Sequence, residues 1–348
     1  MIKVLIVEDS SVAQAVLSHI LDSDPDIQVV GTAGDGLEGL KLLNFVKPDV
    51  ITMDMHMPNM DGYEATRRIM EIHPVPVVIV SASYKPGDTG RAFRALEAGA
   101  VAIVEKPPGV GSPGFGEIAV KFVETVKLMS EVKVARRLSR MRLQCDNPTV
   151  QRVKLDRNRG SIKCVAIGAS TGGPPAIRAI LSGLPENFAV PVLVVQHIAA
   201  GFIEEMVEWV GQSTPLSVRL PANGECCLPG HVYFAPDGFQ MGIDSAGRVI
   251  LTRERPDHSL CPSVSHLFRS VAEVMGPDAV GVLLTGMGSD GAAELKLMKE
   301  KGAVTIAQDR ESSVVYGMPG EAVKLDAAAY VLPPERIAEV LKRLVYKK

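Results

Sequence analysis

Gly168-Ala169-Ser170-Thr171-Gly172-Gly173 follows the apolar run Cys164-Val165-Ala166-Ile167 and precedes a helical pattern, Ala176, Ile177, Ile180 and Leu181. A short buried strand that feeds a helix through a Gly-rich turn belongs to a parallel α/β sheet, and such a turn holds one small polar side chain at the mouth of the sheet. Ser170 is that side chain. The glycines permit a sharp turn and close approach of another segment, and the amides opening the helix from Pro174 onward are expected to point toward the same spot. Gly-x-Ser-x-Gly matches a nucleophile elbow, but Gly-rich turns of this kind also cradle phosphates, and a tight turn with a hydrogen-bonded serine fits as well. The stretch alone does not separate these readings.

The residues around it repeat the alternation. Candidate strands are Cys164-Ile167, Pro191-Gln196, His231-Phe234, Ala279-Leu284, Val304-Ala307 and Ala329-Leu332. Helical patterns lie at Pro175-Leu181, Phe202-Val210, Val264-Met275, Ala292-Lys301 and Glu335-Val345. A hairpin, Phe239-Ile243 with Val249-Thr252 turned at Asp244-Gly247, is expected as an antiparallel insertion in this doubly wound sheet.

A nucleophilic serine needs a base. Of the seven histidines, His19, His56 and His73 lie in the first third of the chain, which leaves His197, His231, His258 and His266. His197 ends the strand that follows the Ser170 unit, and sequential parallel strands are usually neighbours. His231 begins a strand and should face the opposite end of the sheet. His258 falls in a loop, and His266 on a helix surface. An orienting carboxylate comes from Asp290, in the Gly-rich loop Thr285-Gly286-Met287-Gly288-Ser289-Asp290-Gly291 at another strand's carboxyl end, where backbone amides can also face a substrate oxygen. Ser170, His197 and Asp290 then form a nucleophile, base and orienter set, defined by role rather than chain order. Their order differs from the Ser, Asp, His of α/β-hydrolases.

The first 120 residues alternate in the same way: five apolar runs, at Val4-Val7, Gln28-Ala33, Asp49-Met53, Val75-Val80 and Ala102-Val104, are separated by helical patterns. That is a second doubly wound parallel sheet. The carboxyl ends of its strands carry Glu8 and Asp9, Asp54, Ser81, and Lys106. Crowded carboxylates repel unless a cation is present, so a hard divalent ion such as Mg²⁺ is implied. The set suits an acyl phosphate on Asp54, with the metal and Lys106 neutralising its oxygens and Ser81 hydrogen-bonding one of them.

The chain has 348 residues, 46% of them hydrophobic and 22% charged, enough for two or three packed domains. No apolar run is long enough to span a membrane, and Met1-Val7 reads as a strand, so the expectation is a cytoplasmic protein without membrane insertion. The five cysteines contain no Cys-x-x-Cys pair, and are read as reduced, without a zinc site or a disulfide frame. Residues 121–163 hold twelve Lys/Arg against four Asp/Glu, whereas both flanks are acidic. The run Arg136-Arg142 suggests nucleic acid, but no DNA-binding motif follows, and a solvated linker is the plainer reading.

Glu8-Asp9-Ser10, the segment Met53-Asp54 through Asp61-Gly62, Val80-Ser81-Ala82 and Glu105-Lys106-Pro107 resemble the signature blocks of response-regulator receiver domains. The resemblance implies a flavodoxin-like receiver over 1–120 with Asp54 as phospho-acceptor. Glu8, Asp9, Asp54 and the His56 carbonyl would hold Mg²⁺, with Ser81 and Lys106 as switch residues. His56 stands where close relatives carry an acidic residue, and Ile103 where many receivers carry an aromatic.

After a linker, 121–160, residues 161–348 resemble the CheB-type methylesterase family in Ile167-Gly173, Gln196-His197, Leu228-His231, Pro262-Val264, Thr285-Ala292 and Val314-Pro319. By that resemblance Ser170 is the nucleophile, His197 the general base and acid, Asp290 its partner and the Met287 amide an oxyanion donor. Cys261 and Ser265 depart from the Arg and Asp common in relatives. The family's activity is hydrolysis of glutamate γ-methyl esters, and deamidation of glutamines, on chemoreceptors. The resemblance further implies that the esterase step needs no cofactor, that a CheA-like histidine kinase supplies the phosphoryl group, and that the unphosphorylated receiver covers the catalytic cleft. A nucleotide-binding output domain and a pure interaction module are the competing classes.

Overall fold

The computed structural model describes residues 1–81, 91–132, 134, 161–253 and 260–346. The chain divides into two compact units, Met1–Gln151 and Arg152–Lys348. The run Arg136-Arg142, Cys145 and His258 lie outside the described residues.

In the first unit β1 (Ile2–Val7), α1 (Ser11–Asp22), β2 (Ile27–Ala33), α2 (Gly36–Leu42), β3 (Val50–Asp54), α3 (Gly62–Ile72), β4 (Val77–Ser81), α4 (Arg91–Ala98), β5 (Ala102–Glu105) and α5 (Phe115–Ser130) alternate without exception. All strand pairs are parallel, in the order β2-β1-β3-β4-β5. Every residue of β3 and β4 is buried, as continuous apolar runs in a sheet covered on both faces require. Helix starts are set by side-chain caps: Ser10, Asp35 and Asp61 each accept an amide of the first turn.

α5 runs across the expected domain boundary at residue 120. Phe122, Val126 and Met129 are buried, and Lys127 pairs with Asp24 and Asp26 at 2.8 Å each, so 121–130 is the last helix of the first unit rather than linker.

The second unit contains β6 (Cys164–Ala169), α6 (Gly173–Ser182), β7 (Val192–Gln196), α7 (Ile203–Gly211), β8 (Ser217–Arg219), β9 (His231–Phe234), β10 (Gln240–Ile243), β11 (Val249–Thr252), α8 (Val264–Met275), β12 (Ala279–Leu283), α9 (Ala292–Glu300), β13 (Val304–Gln308), α10 (Met318–Lys324), β14 (Tyr330–Leu332) and α11 (Pro334–Val345). Seven strands form one parallel sheet, β14-β13-β12-β6-β7-β9-β8. From β6 the chain moves outward to β7, and it later returns through β12 on the other flank, which makes the carboxyl end of β6 a topological switch point.

The hairpin β10–β11 is not inserted in the large sheet: it pairs only with itself among the described strands and lays Met241, Ile243 and Val249 on Leu267, Phe268 and Val271 of α8. Ser270 Oγ fastens it by taking the Ile243 N–H at 2.8 Å and donating to the Ile243 carbonyl at 3.1 Å. β8 and α10 carry no periodic signal, one being too short to show an alternation and the other interrupted by Pro319 and Gly320.

Candidate functional site

Ser170 follows β6 directly, and its neighbours are fixed by the sheet. Ala169 pairs with Gln196 of β7, and the His197 N–H donates to the Ala169 carbonyl at 2.9 Å. On the other flank the Ser170 N–H donates to the Thr285 carbonyl at 3.0 Å, just beyond β12. Three strand ends therefore meet around one serine. His197 Nε2 lies 2.9 Å from Asp290 Oδ2, and both side chains are 14% exposed.

The Asp290 carboxylate is held on more sides than a histidine partner alone provides. The Ser263 hydroxyl and the Ser265 N–H donate to Oδ1 at 3.0 Å each, and the Val264 N–H donates to Oδ2 at 2.7 Å. These donors open α8, so the carboxylate sits at a helix N-terminus, where the orphan amides and the helix dipole favour an anion. Burial alone would raise the carboxyl; the contacts with His197 and Ser265 outweigh it and hold the group well below the ordinary aspartate range. In the folded state this group is depressed relative to the unfolded chain. Its stabilising contribution is therefore complete above the ordinary value of 3.8 and is lost as pH falls below it.

Close approach of α8 explains two glycines. A side chain at Gly168 or at Gly291, the latter with φ +83°, would run into Val264. Gly168→Ala should cost about 1–3 kcal/mol through this overpacking, read as a lower denaturation midpoint. A Gly168→Ala/Val264→Ala double variant no more stable than the sum of its two single losses would contradict that cause.

Ser265 works on the Asp290 side. Its Oγ accepts the Gly291 N–H at 2.9 Å and donates to Glu294 at 2.6 Å, and Glu294 also meets Arg269 at 2.7 Å. Cys261 is a half-buried free thiol. The loop with Met287 is clamped from below: the Gly286 N–H donates to the Val315 carbonyl at 3.0 Å, and its carbonyl accepts from Gly317 and Met318 at 3.1 and 2.9 Å. A side chain at Gly286 would lie 2.6 Å from Ser170 Cβ, so the backbone leading into the 51% exposed Met287 passes directly against the serine. Thr285 is fully buried; its hydroxyl lies 2.9 Å from the Thr171 carbonyl and accepts the Val315 N–H at 3.0 Å, and its own N–H donates to Gln308 Oε1 at 2.8 Å.

One expectation fails on chemistry. Amides from Pro174 onward cannot converge on the turn, because Pro174 and Pro175 have no N–H, and the Gly173 N–H donates to the Ser170 carbonyl at 2.8 Å. This removes the donors a phosphate cradle would need at this helix start. His231 begins β9, parallel to β7, and so lies at the amino end of the sheet, as expected; His266 lies in α8.

In the first unit Glu8 and Asp54 are buried, Asp9 is exposed, and one oxygen from each lies within 4.8 Å of the others. Lys106 Nζ lies 2.8 Å from Glu8 Oε2 and 3.3 Å from Asp54 Oδ1. Burial and the Asp54 charge push the Glu8 carboxyl up against the Lys106 bond; Lys106 is raised, because Glu8 and Asp54 outweigh its own burial. Ser81 ends β4 and is buried, and its carbonyl takes the Lys106 N–H at 2.8 Å. His56 is exposed in the loop after Asp54. An all-oxygen set of three carboxylates fits a hard divalent cation.

Comparison with known proteins agrees with both halves. Residues 165–341 match the family model for the CheB methylesterase, and residues 4–111 match that for the response regulator receiver domain. The chain is 53% identical, over all of its length and 98% of the other, to a protein-glutamate methylesterase/protein-glutamine glutaminase of Nitrosospira multiformis. It is 52% identical to one from Syntrophus aciditrophicus, over 99% of this chain and 98% of that one. The crystal structure of the Thermotoga maritima CheB methylesterase catalytic domain is 37% identical and superposes with a TM-score of 0.51, covering 53% of this chain and all of that domain. With a receiver domain ahead of the sheet that bears Ser170, His197 and Asp290, the chain belongs to the CheB methylesterase family.

Proposed function

We propose that this protein is a phosphorylation-activated hydrolase that removes methyl groups from glutamate γ-methyl esters of chemoreceptors and deamidates receptor glutamines. The observation that carries the chemistry is the 2.9 Å contact of His197 Nε2 with Asp290, at the strand end next to Ser170. With Nε2 turned to Asp290, Nδ1 is the nitrogen that exchanges protons with the reaction.

Ser170 attacks the ester carbonyl as His197 takes its proton, the Met287 amide donates to the oxygen that becomes negative, and methanol leaves with the proton from His197. Water then attacks the acyl-serine, His197 takes its proton, and the serine and the glutamate are restored. A glutamine side chain follows the same course with ammonia as leaving group. Asp290 remains ionised throughout and holds the imidazole, which its helix-terminal donors favour.

Asp54 is the phospho-acceptor, served by a CheA-like histidine kinase in the cytoplasm. Glu8, Asp9, Asp54 and the His56 carbonyl would hold Mg²⁺, which when bound supplies neutralising charge to the phosphoryl oxygens. Lys106, already between Glu8 and Asp54, and Ser81 read the phosphorylated state. A nucleotide-binding role for the Ser170 turn is disfavoured by the two prolines at its helix start, and no helix is long and apolar enough to cross a membrane among the described residues.

The test is methanol release from a methylated receptor with and without acetyl phosphate. Asp54→Asn should keep basal release within about twofold of wild type and lose the stimulation, since the reacting groups lie in the other unit. Stimulation that survives Asp54→Asn would refute the receiver's role.

A further inference from the structure

Gln196 ends β7 beside His197, and it is 3% exposed. Its Nε2 donates to the Ser170 carbonyl at 2.9 Å and to the His197 carbonyl at 2.7 Å. One carboxamide therefore ties the backbone of the nucleophile to the backbone of the base. The Ser170 carbonyl takes a second donor, the Gly173 N–H at 2.8 Å, so the turn is held from both the strand side and the helix side. Room for this arrangement comes from Gly173, where a side chain would collide with the Gln196 carboxamide and with Ala169.

The main-chain ladder alone leaves this point loose. β6 and β7 stop pairing after Ala169 and Gln196, apart from the single His197 N–H to Ala169 bond, so beyond it the two reacting residues stand on separate loops. Buried amide bonds to both carbonyls fix the separation of those loops, and misplacement of a reacting pair by about 1 Å can cost about 100-fold in rate. We infer that Gln196 is a positioning residue, which sets the alignment of Ser170 with His197 without touching substrate. This rests on the esterase reading given above.

The experiment compares wild type, Ser170→Ala and Gln196→Met in receptor demethylation, in labelling of Ser170 by a small fluorophosphonate, and in thermal unfolding. Labelling reports the alignment of serine and base and does not depend on receptor docking. Gln196→Met keeps the length of the side chain and removes both donors; it should lower kcat and the labelling rate roughly 10- to 100-fold, with receptor KM changed less than about twofold. A folded Gln196→Met protein that labels and turns over at wild-type rates, or whose loss lies wholly in KM, would overturn the inference. Should Gln196→Met not fold, Gln196→Glu is of the same size and places an oxygen against both carbonyls; it is decided by the same readings. Wild type that neither demethylates nor labels would instead overturn the esterase reading, and this inference with it.

Discussion

Replacing Ser170 by alanine should lower methyl-ester hydrolysis by roughly 10⁴- to 10⁶-fold while leaving the fold in place, because the serine and its histidine act as a unit. The side chain is half-exposed at the end of a fully buried strand, so truncation removes the attacking oxygen and little packing. His197→Ala should fall in the same range, and the double variant should be little worse than either single one. Additive losses would mean that the two residues do not serve one step. A Ser170→Ala protein with substantial esterase activity would end the assignment of the nucleophile.

The second large effect concerns Asp290. Asp290→Asn keeps the shape of the side chain but offers the imidazole an amide in place of a carboxylate, and should reduce kcat by about 10³- to 10⁴-fold, as loss of the correct tautomer does elsewhere. The substitution also turns an NH₂ group toward one side of a site that already supplies the Ser263 hydroxyl and two amides as donors. One of these donors then faces another donor, so stability should fall by about 1–3 kcal/mol, with the largest difference from wild type above the aspartate range. Measured kcat at saturating receptor and denaturation at two pH values separate the two effects. Unchanged kcat in a stable Asp290→Asn protein would remove the aspartate from the mechanism.

The candidate site groups were legible in the sequence because they obey a positional rule. Chemistry in a parallel sheet collects beyond the carboxyl ends of its strands, and Ser170, His197 and Asp290 each lie beyond the carboxyl end of a buried, mostly apolar strand. The same rule found Glu8, Asp54 and Lys106. What it could not show is how these groups are held. The donors to Asp290 include two backbone amides of α8, which no residue type announces, and their placement depends on Val264 packing against Gly168 and Gly291 from distant parts of the chain.

Gln196 and Thr285 stood inside recognised motifs, yet a neutral side chain at a strand end carries no signal of whether it faces solvent or a neighbouring carbonyl. Both are buried and hydrogen-bonded to the nucleophile's turn. The stretch after residue 120 needed the structure for a related reason. Helical periodicity continued through Phe122, Val126 and Met129, and only the burial of these side chains and the Lys127 pairs assign that stretch to the first unit. The sheet order placed β12 beside β6, so that Asp290 and His197 approach the serine from opposite flanks, which alternation by itself leaves undetermined.

The most direct test of the central claim is methanol release from a methylated chemoreceptor by wild type and Ser170→Ala, each with and without acetyl phosphate and Mg²⁺. Release that requires Ser170 and rises with the phosphodonor is the expected result. Equal release by the two proteins, or none from folded wild type under either condition, would contradict the account.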